Sequence, residues 1–313
     1  MRLRHTLTFT VLLFCLTFGP ISTQAAEPRT GDWTLHKSND PGKVEFSLIE
    51  HRRGGSSHHS SDWPGSAFAG VDFAKPGRQD VRFTVSRDAG KIECEGYLNN
   101  GEGAGIFHFE PDPGYSREMH AFGFSVDEDK QFTMAVMDVS LDFARQIRNE
   151  HIEGLDAEKL IAFRIFGVTA AFIEELRAEG LKISDADKLV AFRIHGVTPQ
   201  MVRALHQDGY SPDEDKLIAM RIHGATPEWI ADLKKRGYDR VDLDKLIAFR
   251  IHGVSPEFIE KLQSLGYSHP GPDELIAMRI HGVTPDYISA MRSRGIQNLS
   301  IDQLVSMRIH GID

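Results

Sequence analysis

The chain has 313 residues, 41% of them hydrophobic and 26% charged, with 45 acidic against 36 basic side chains and a formal charge of −9. An acidic balance of that size disfavours the phosphate backbone of a nucleic acid as a partner. The length exceeds what one hydrophobic core usually serves, so two domains or a repeat array are expected.

Met1 to Ala26 joins Arg2 and Arg4 to an apolar run, Val11 to Phe18, and a small-residue exit, Gln24-Ala25-Ala26. That layout is a secretory signal peptide, so the protein is expected to be periplasmic or secreted and to begin near Glu27 after cleavage. The apolar run is shorter than the roughly 20 residues that span a bilayer, and no later stretch approaches that length, so no stable membrane span is expected. Cys15 lies in the signal, which leaves Cys94 alone and excludes an intramolecular disulfide.

Residues 27 to 110 alternate apolar and polar side chains at Val44/Phe46/Leu48, Val81/Phe83/Val85, Ile92/Cys94 and Phe107/Phe109, with turns such as Asn99-Asn100-Gly101 between them. The period of two predicts an antiparallel sheet of four or five strands. His51 to Asp62, rich in Ser, Gly and His, predicts a mobile loop. About 80 residues hold only a modest core, so the sheet is expected to lean on the elements that follow. Cys94, alternating with Ile92, reads as a small buried residue and not as a nucleophile.

From residue 111 to 313 one sentence recurs. Leu160-Ile-Ala-Phe-Arg-Ile-Phe-Gly-Val-Thr169 returns from Leu189, Leu217, Leu246, Leu275 and Leu304, at separations of 29, 28, 29, 29 and 29 residues. A fixed period of that length marks a solenoid. Each copy predicts two short helices. Around Leu217, Ser211 or Asp213 caps the first and Gly224 stops it, while Thr226 caps the second, Pro227 opens it and Gly237 ends it. The first helix is apolar around most of its circumference and the second on one side, so the first is expected to be sandwiched between neighbours and the second to face solvent. A degenerate copy at Ser125 to Ser140 and a truncated last copy bring the array to about seven repeats. The fold class is thus α+β, a small antiparallel β domain followed by an α-solenoid of two-helix repeats.

The repeat wording L-I-A-[FM]-R-I-H-G-V-T-P-E-[FY]-I resembles tandem repeats of some bacterial exported proteins and of C-terminal extensions of membrane zinc metallopeptidases of the beta-lactam-sensor type. Val81 to Tyr97, leading into Gly105 to Pro111, is similar to the strand region that precedes such repeats. The resemblance covers roughly residues 80 to 313 and implies an envelope-sensing or interaction module. No H-E-x-x-H occurs, so peptidase activity does not carry over.

Two polar positions recur within the repeat. Arginine stands four residues after each leucine, at Arg164, Arg193, Arg221, Arg250, Arg279 and Arg308, and an acid two before it, at Glu158, Asp187, Asp215, Asp244, Asp273 and Asp302. The bland expectation is an Arg-to-acid ladder that fixes the stacking; the functional one is a positive stripe that docks an anionic group. Histidine follows at His195, His223, His252, His281 and His310, with Phe166 in the earliest clear copy. A straight ladder at about 10 Å spacing does not converge on a metal, so these are expected to serve helix ends or packing. His51, His58 and His59 with Asp62 match no metal pattern. No nucleophile, base and oxyanion hole assemble, and no cofactor motif occurs. The expectation is a non-catalytic extracytoplasmic interaction or sensing module whose partner is an envelope protein or peptide, a sensor-type metallopeptidase among the candidates, with weak homodimerisation through the C-terminal end. The alternative is a small-ligand sensor or enzyme with a pocket where sheet meets solenoid, near Ala135 and Met137.

Overall fold

The computed structural model describes residues 29–52 and 55–312. The signal-peptide expectation for Met1 to Ala26 lies outside them. Six antiparallel strands come first: β1 (Arg29–Lys37), β2 (Lys43–Arg52), β3 (Gly55–Pro64), β4 (Arg78–Arg87), β5 (Gly90–Asn99) and β6 (Glu102–Pro111), in the order β3-β2-β1-β6-β5-β4. The expectation of four or five strands is corrected to six, because β1 and β3 carry little of the apolar alternation that marks the others. The expected loop at His51 to Asp62 is corrected as well. His51 and Arg52 end β2 and Gly55 to Asp62 lie in β3, paired with β2 from Arg52↔Gly55 to Lys43↔Pro64. An edge strand needs a partner on one side only, and backbone hydrogen bonds hold it whatever its side chains.

The sheet curls on itself. Phe46 of β2 and Phe83 of β4 are four strand spacings apart, ~19 Å if the sheet were flat, yet their ring centroids lie 6.2 Å apart. Trp33, Trp63 and Phe68 fill the same interior. Gly96 and Gly105 face each other across β5 and β6 under the Trp33 indole, where a Cβ would come within 2.7 Å of the ring.

Fourteen helices follow among the described residues. The first eight are α1 (Pro113–Ala121), α2 (Glu128–Val136), α3 (Leu141–Asn149), α4 (Ala157–Phe166), α5 (Ala170–Ala178), α6 (Ala186–His195), α7 (Pro199–Gln207) and α8 (Glu214–His223). The remainder are α9 (Pro227–Lys234), α10 (Leu243–His252), α11 (Pro256–Ser264), α12 (Pro272–Ile280), α13 (Pro285–Ser293) and α14 (Ile301–Ile309). Even-numbered helices are the first helices of the copies and stack on one another; odd-numbered ones are the second helices and form a parallel row. First helices pack more closely on their neighbours than second helices do. The capping is as local chemistry requires. Asp213 accepts from Lys216 N at 2.7 Å, Thr226 accepts from Trp229 N at 3.3 Å, and Gly224 ends α8 at φ 74°.

Sheet and array share a continuous core at α2. Phe132 stacks on Phe107 at 5.7 Å and meets Phe109 edge-on at 5.1 Å. Gln131, 4% exposed, donates its amide to the carbonyls of Ala89 at 2.8 Å and Asp112 at 2.7 Å. The Ala89 carbonyl, which also accepts from Asp112 N at 3.1 Å, and the Asp112 carbonyl are thereby tied to α2.

Candidate interaction surface

The arginine ladder is built differently from the expected pairing with acids. The Nε of Arg193 donates to Phe166 O at 3.0 Å, Arg221 to His195 O at 3.0 Å, Arg250 to His223 O at 3.1 Å, Arg279 to His252 O at 3.2 Å and Arg308 to His281 O at 3.4 Å. Each arginine therefore caps the C-terminal end of the preceding first helix, where unpaired carbonyls and the negative end of the helix dipole attract a cation. The guanidinium also lies over the aromatic ring of the intervening second helix: Arg193 over Phe172, Arg250 over Trp229, Arg279 over Phe258 and Arg308 over Tyr287, at 4.8–5.2 Å. Arg221 has Met201 at the corresponding place. The glycine after each helix completes the arrangement, because a Cβ on Gly253 would stand 2.7 Å from Arg279 Nη2.

This geometry also accounts for Phe166. The arginine reads the main-chain carbonyl at the histidine position, so the side chain there is free to vary. Where the degenerate copy has Asp138 in place of glycine, at φ 55°, its carboxylate joins Arg164 at 3.1 Å and Arg87 of β4 at 3.2 Å, while Arg164 Nε keeps the Met137 carbonyl at 3.2 Å.

The acids two before the leucines have a different partner, the lysine of the preceding copy, except at Asp302, where the preceding copy has Glu274 in the lysine's place. Lys159 pairs with Asp187, Lys188 with Asp215, Lys216 with Asp244 at 3.0 Å, and Lys245 with Asp273 at 2.6 Å. The hydrogen bond to its carboxylate raises each of these lysines above the ordinary ammonium value. A third tie joins consecutive copies through tyrosine hydroxyls. Tyr210 donates to Val241 O at 3.0 Å, Tyr238 to Pro270 O at 2.8 Å and Tyr267 to Leu299 O at 2.8 Å.

What remains open is an apolar face. The first helices are sandwiched between their two neighbours and covered on a third side by the second helices, and the fourth side is open. Ile165, Ile194, Ile222, Ile251, Ile280 and Ile309 stand one per copy, each 53–58% exposed. Half-buried Ile161/Ala162, Val190/Ala191, Ile218/Ala219, Ile247/Ala248 and Ile276/Ala277 fill the space between them. Seven residues before each isoleucine, two turns along the same side of the helix, stands the acid two before the leucine. Beyond the isoleucines lie the histidines, exposed except for His195, which is half-buried. The surface thus carries three parallel rows, acid, isoleucine and histidine, across the stacked helices. Sequence reasoning missed the middle row because an isoleucine in an apolar helix reads as core; the signal for it was the helical position two turns from an exposed acid.

Other candidate sites do not converge. His58 and His59 are neighbours in β3 and point to opposite faces of the sheet, and His51 Nε2 pairs with Asp32 at 2.7 Å. No group of three or more metal-ligating side chains forms among the described residues. Cys94 is buried in the sheet, and desolvation raises its thiol far above the ordinary value. Two shallow depressions on the outer face of the sheet, about 900 and 740 Å³, include the pair Arg82–Glu95 at 2.8 Å. A cleft of about 510 Å³ does lie at the junction of sheet and array, between Ser60, Ser61, Asp62 and Trp63 on one side and Met137, Asp138 and Arg164 on the other. Ala135 is fully buried and lines no part of it. Among the described residues no helix is long and apolar enough to cross a membrane. Compared with known protein families, with curated proteins and with solved structures, the chain gave no match.

Proposed function

We propose that this chain is a non-catalytic interaction module that works outside the cytoplasm, with the first-helix face of the array as its docking surface. The observation that carries the reading is the row of half-exposed isoleucines, repeated in register over six copies on the first-helix face of the array. Monomeric proteins seldom leave a contiguous apolar strip of that extent to water, and solenoids present such strips to protein partners. Export by the N-terminal segment and an envelope protein as partner, a sensor-type metallopeptidase included, belong to the same reading. The arginines and histidines have a different place in it: the arginines hold copies together, and the histidines border the face.

The test is photocrosslinking in the native host. A crosslinking residue in place of Ile222 is expected to give a discrete adduct, and one in place of Glu174, exposed on α5, is expected to give none. Equal patterns from both positions would remove the surface from consideration.

The junction cleft favours a second reading, a small-ligand sensor. Its Arg87, Asp138 and Arg164 offer charged groups beside the Trp63 ring, over which Arg87 lies at 4.7 Å. A metabolite that raises the melting temperature of the wild type but not of Arg87→Gln would support that reading, and a screen in which every stabiliser acts equally on both would end it.

A further inference from the structure

We infer that the partner segment docked on the isoleucine row is a basic amphipathic α-helix laid along the array, crossing the first helices; this rests on the interaction reading above. Three features of the face point to that occupant. The first is width. The apolar strip lies between the acid row and the histidine row, eight residues or ~12 Å apart along each first helix, which matches the ~10–12 Å diameter of an α-helix with its side chains. The second is period. Packed helices lie ~8–10 Å apart, and seven residues of an α-helix advance ~10.5 Å, so a heptad apolar stripe meets one isoleucine per turn pair. An extended strand fails here, because residues three apart, at the matching distance, point to opposite faces.

The third feature is charge. Asp187, Asp215, Asp244 and Asp273 are 74–81% exposed, whereas the lysines that pair with them are 30–36% exposed. The carboxylates therefore stand outermost. The N-cap carboxylates of the same helices, such as Asp185, Asp213 and Asp242, add to that edge against one lysine per copy. The edge is net acidic, and it attracts cationic side chains that flank an apolar stripe. The same acidity opposes the alternative occupant, an anionic membrane surface.

The probe is an amidated peptide of three heptads, Leu-Lys-Lys-Leu-Ala-Lys-Ala, about 31 Å long as a helix, titrated into the full chain. Binding is expected with helix induction by circular dichroism. A shuffled peptide of the same composition, and one with glutamate for lysine, are expected to bind at least tenfold more weakly. Ile222→Glu/Ile251→Glu, which alters only exposed side chains and is expected to keep the wild-type melting temperature, should weaken binding of the first peptide tenfold or more. Equal affinity for the shuffled or glutamate peptide, binding without helix formation, or unchanged affinity of the double variant would each overturn the inference. If position 222 crosslinks a discrete adduct in the host and this peptide does not bind, the docking surface stands and the cationic helix is wrong.

Discussion

At the residue scale, the arginine of each copy shows how little a side chain's identity says about its partner. Sequence places an acid nearby in every copy, and pairing the two is the natural inference for a cation on a partly apolar helix. The structure gives the arginine to a main-chain carbonyl and an aromatic face, and gives the acid to lysine. Carbonyls carry no letter in the sequence, so this connection was not legible there. It predicts a graded series. Arg250→Met loses the cap on His223 and the contact with Trp229 and is expected to cost about 1–2 kcal/mol. Arg221→Met loses only the cap and is expected to cost less, because Met201 offers no π-face; denaturant midpoints of the two variants measure the difference. The glycines predict a matching contrast. Gly253→Ala and Gly266→Ala both place a Cβ at positive φ, 75° and 88°, but only the first meets a guanidinium. Each is expected to destabilise by about 1 kcal/mol from conformation alone, with a further loss at Gly253 that vanishes in an Arg279→Ala background.

At the element scale, the helix pairs were legible because their grammar is local: a cap, a stripe, a glycine stop. β3 was not, because Ser56 to Asp62 carries none of the β-branched or aromatic residues that mark a strand and is held by its neighbour's backbone. The inter-copy tyrosines show an effect of pairing that can be titrated. Burial, with Glu274 adding to it, pushes the Tyr238 phenol up to about 12, and burial raises Tyr210 as well. A phenol with a raised value favours the folded state below its unfolded value near 10 and loses that contribution as pH rises through the folded one. The lysines of the acid row lose theirs in the same direction. Stability is therefore expected to be level up to about pH 10 and to fall steadily toward pH 12. Tyr238→Phe is expected to be less stable at neutral pH by about 1 kcal/mol and to show a shallower fall, as urea midpoints across the pH range would reveal.

At the scale of the whole molecule, sheet and array are joined by a buried polar link, not merely by apposed apolar faces. Gln131→Leu removes the side-chain donor from the Asp112 carbonyl and leaves the Ala89 carbonyl with the Asp112 N–H alone, in a buried site, at a cost of about 1–3 kcal/mol. Calorimetry is expected to give one transition for the wild type and two for the variant. The α+β architecture was legible from two different periodicities in one chain. The open face was not, since exposure depends on what packs where, and a sequence with apolar residues on every side of a helix does not say which side lacks a neighbour.

Every tie described between copies, from arginine to the carbonyl behind it, from lysine to the acid ahead and from tyrosine to the next linker, joins one copy only to the adjacent one. An in-frame duplication of 29 residues would therefore recreate each bond at the new seam and lengthen the scaffold by one rung. A deletion of one rung would heal in the same way. The array is in this sense a ruler whose span can be reset by recombination without redesigning a single contact.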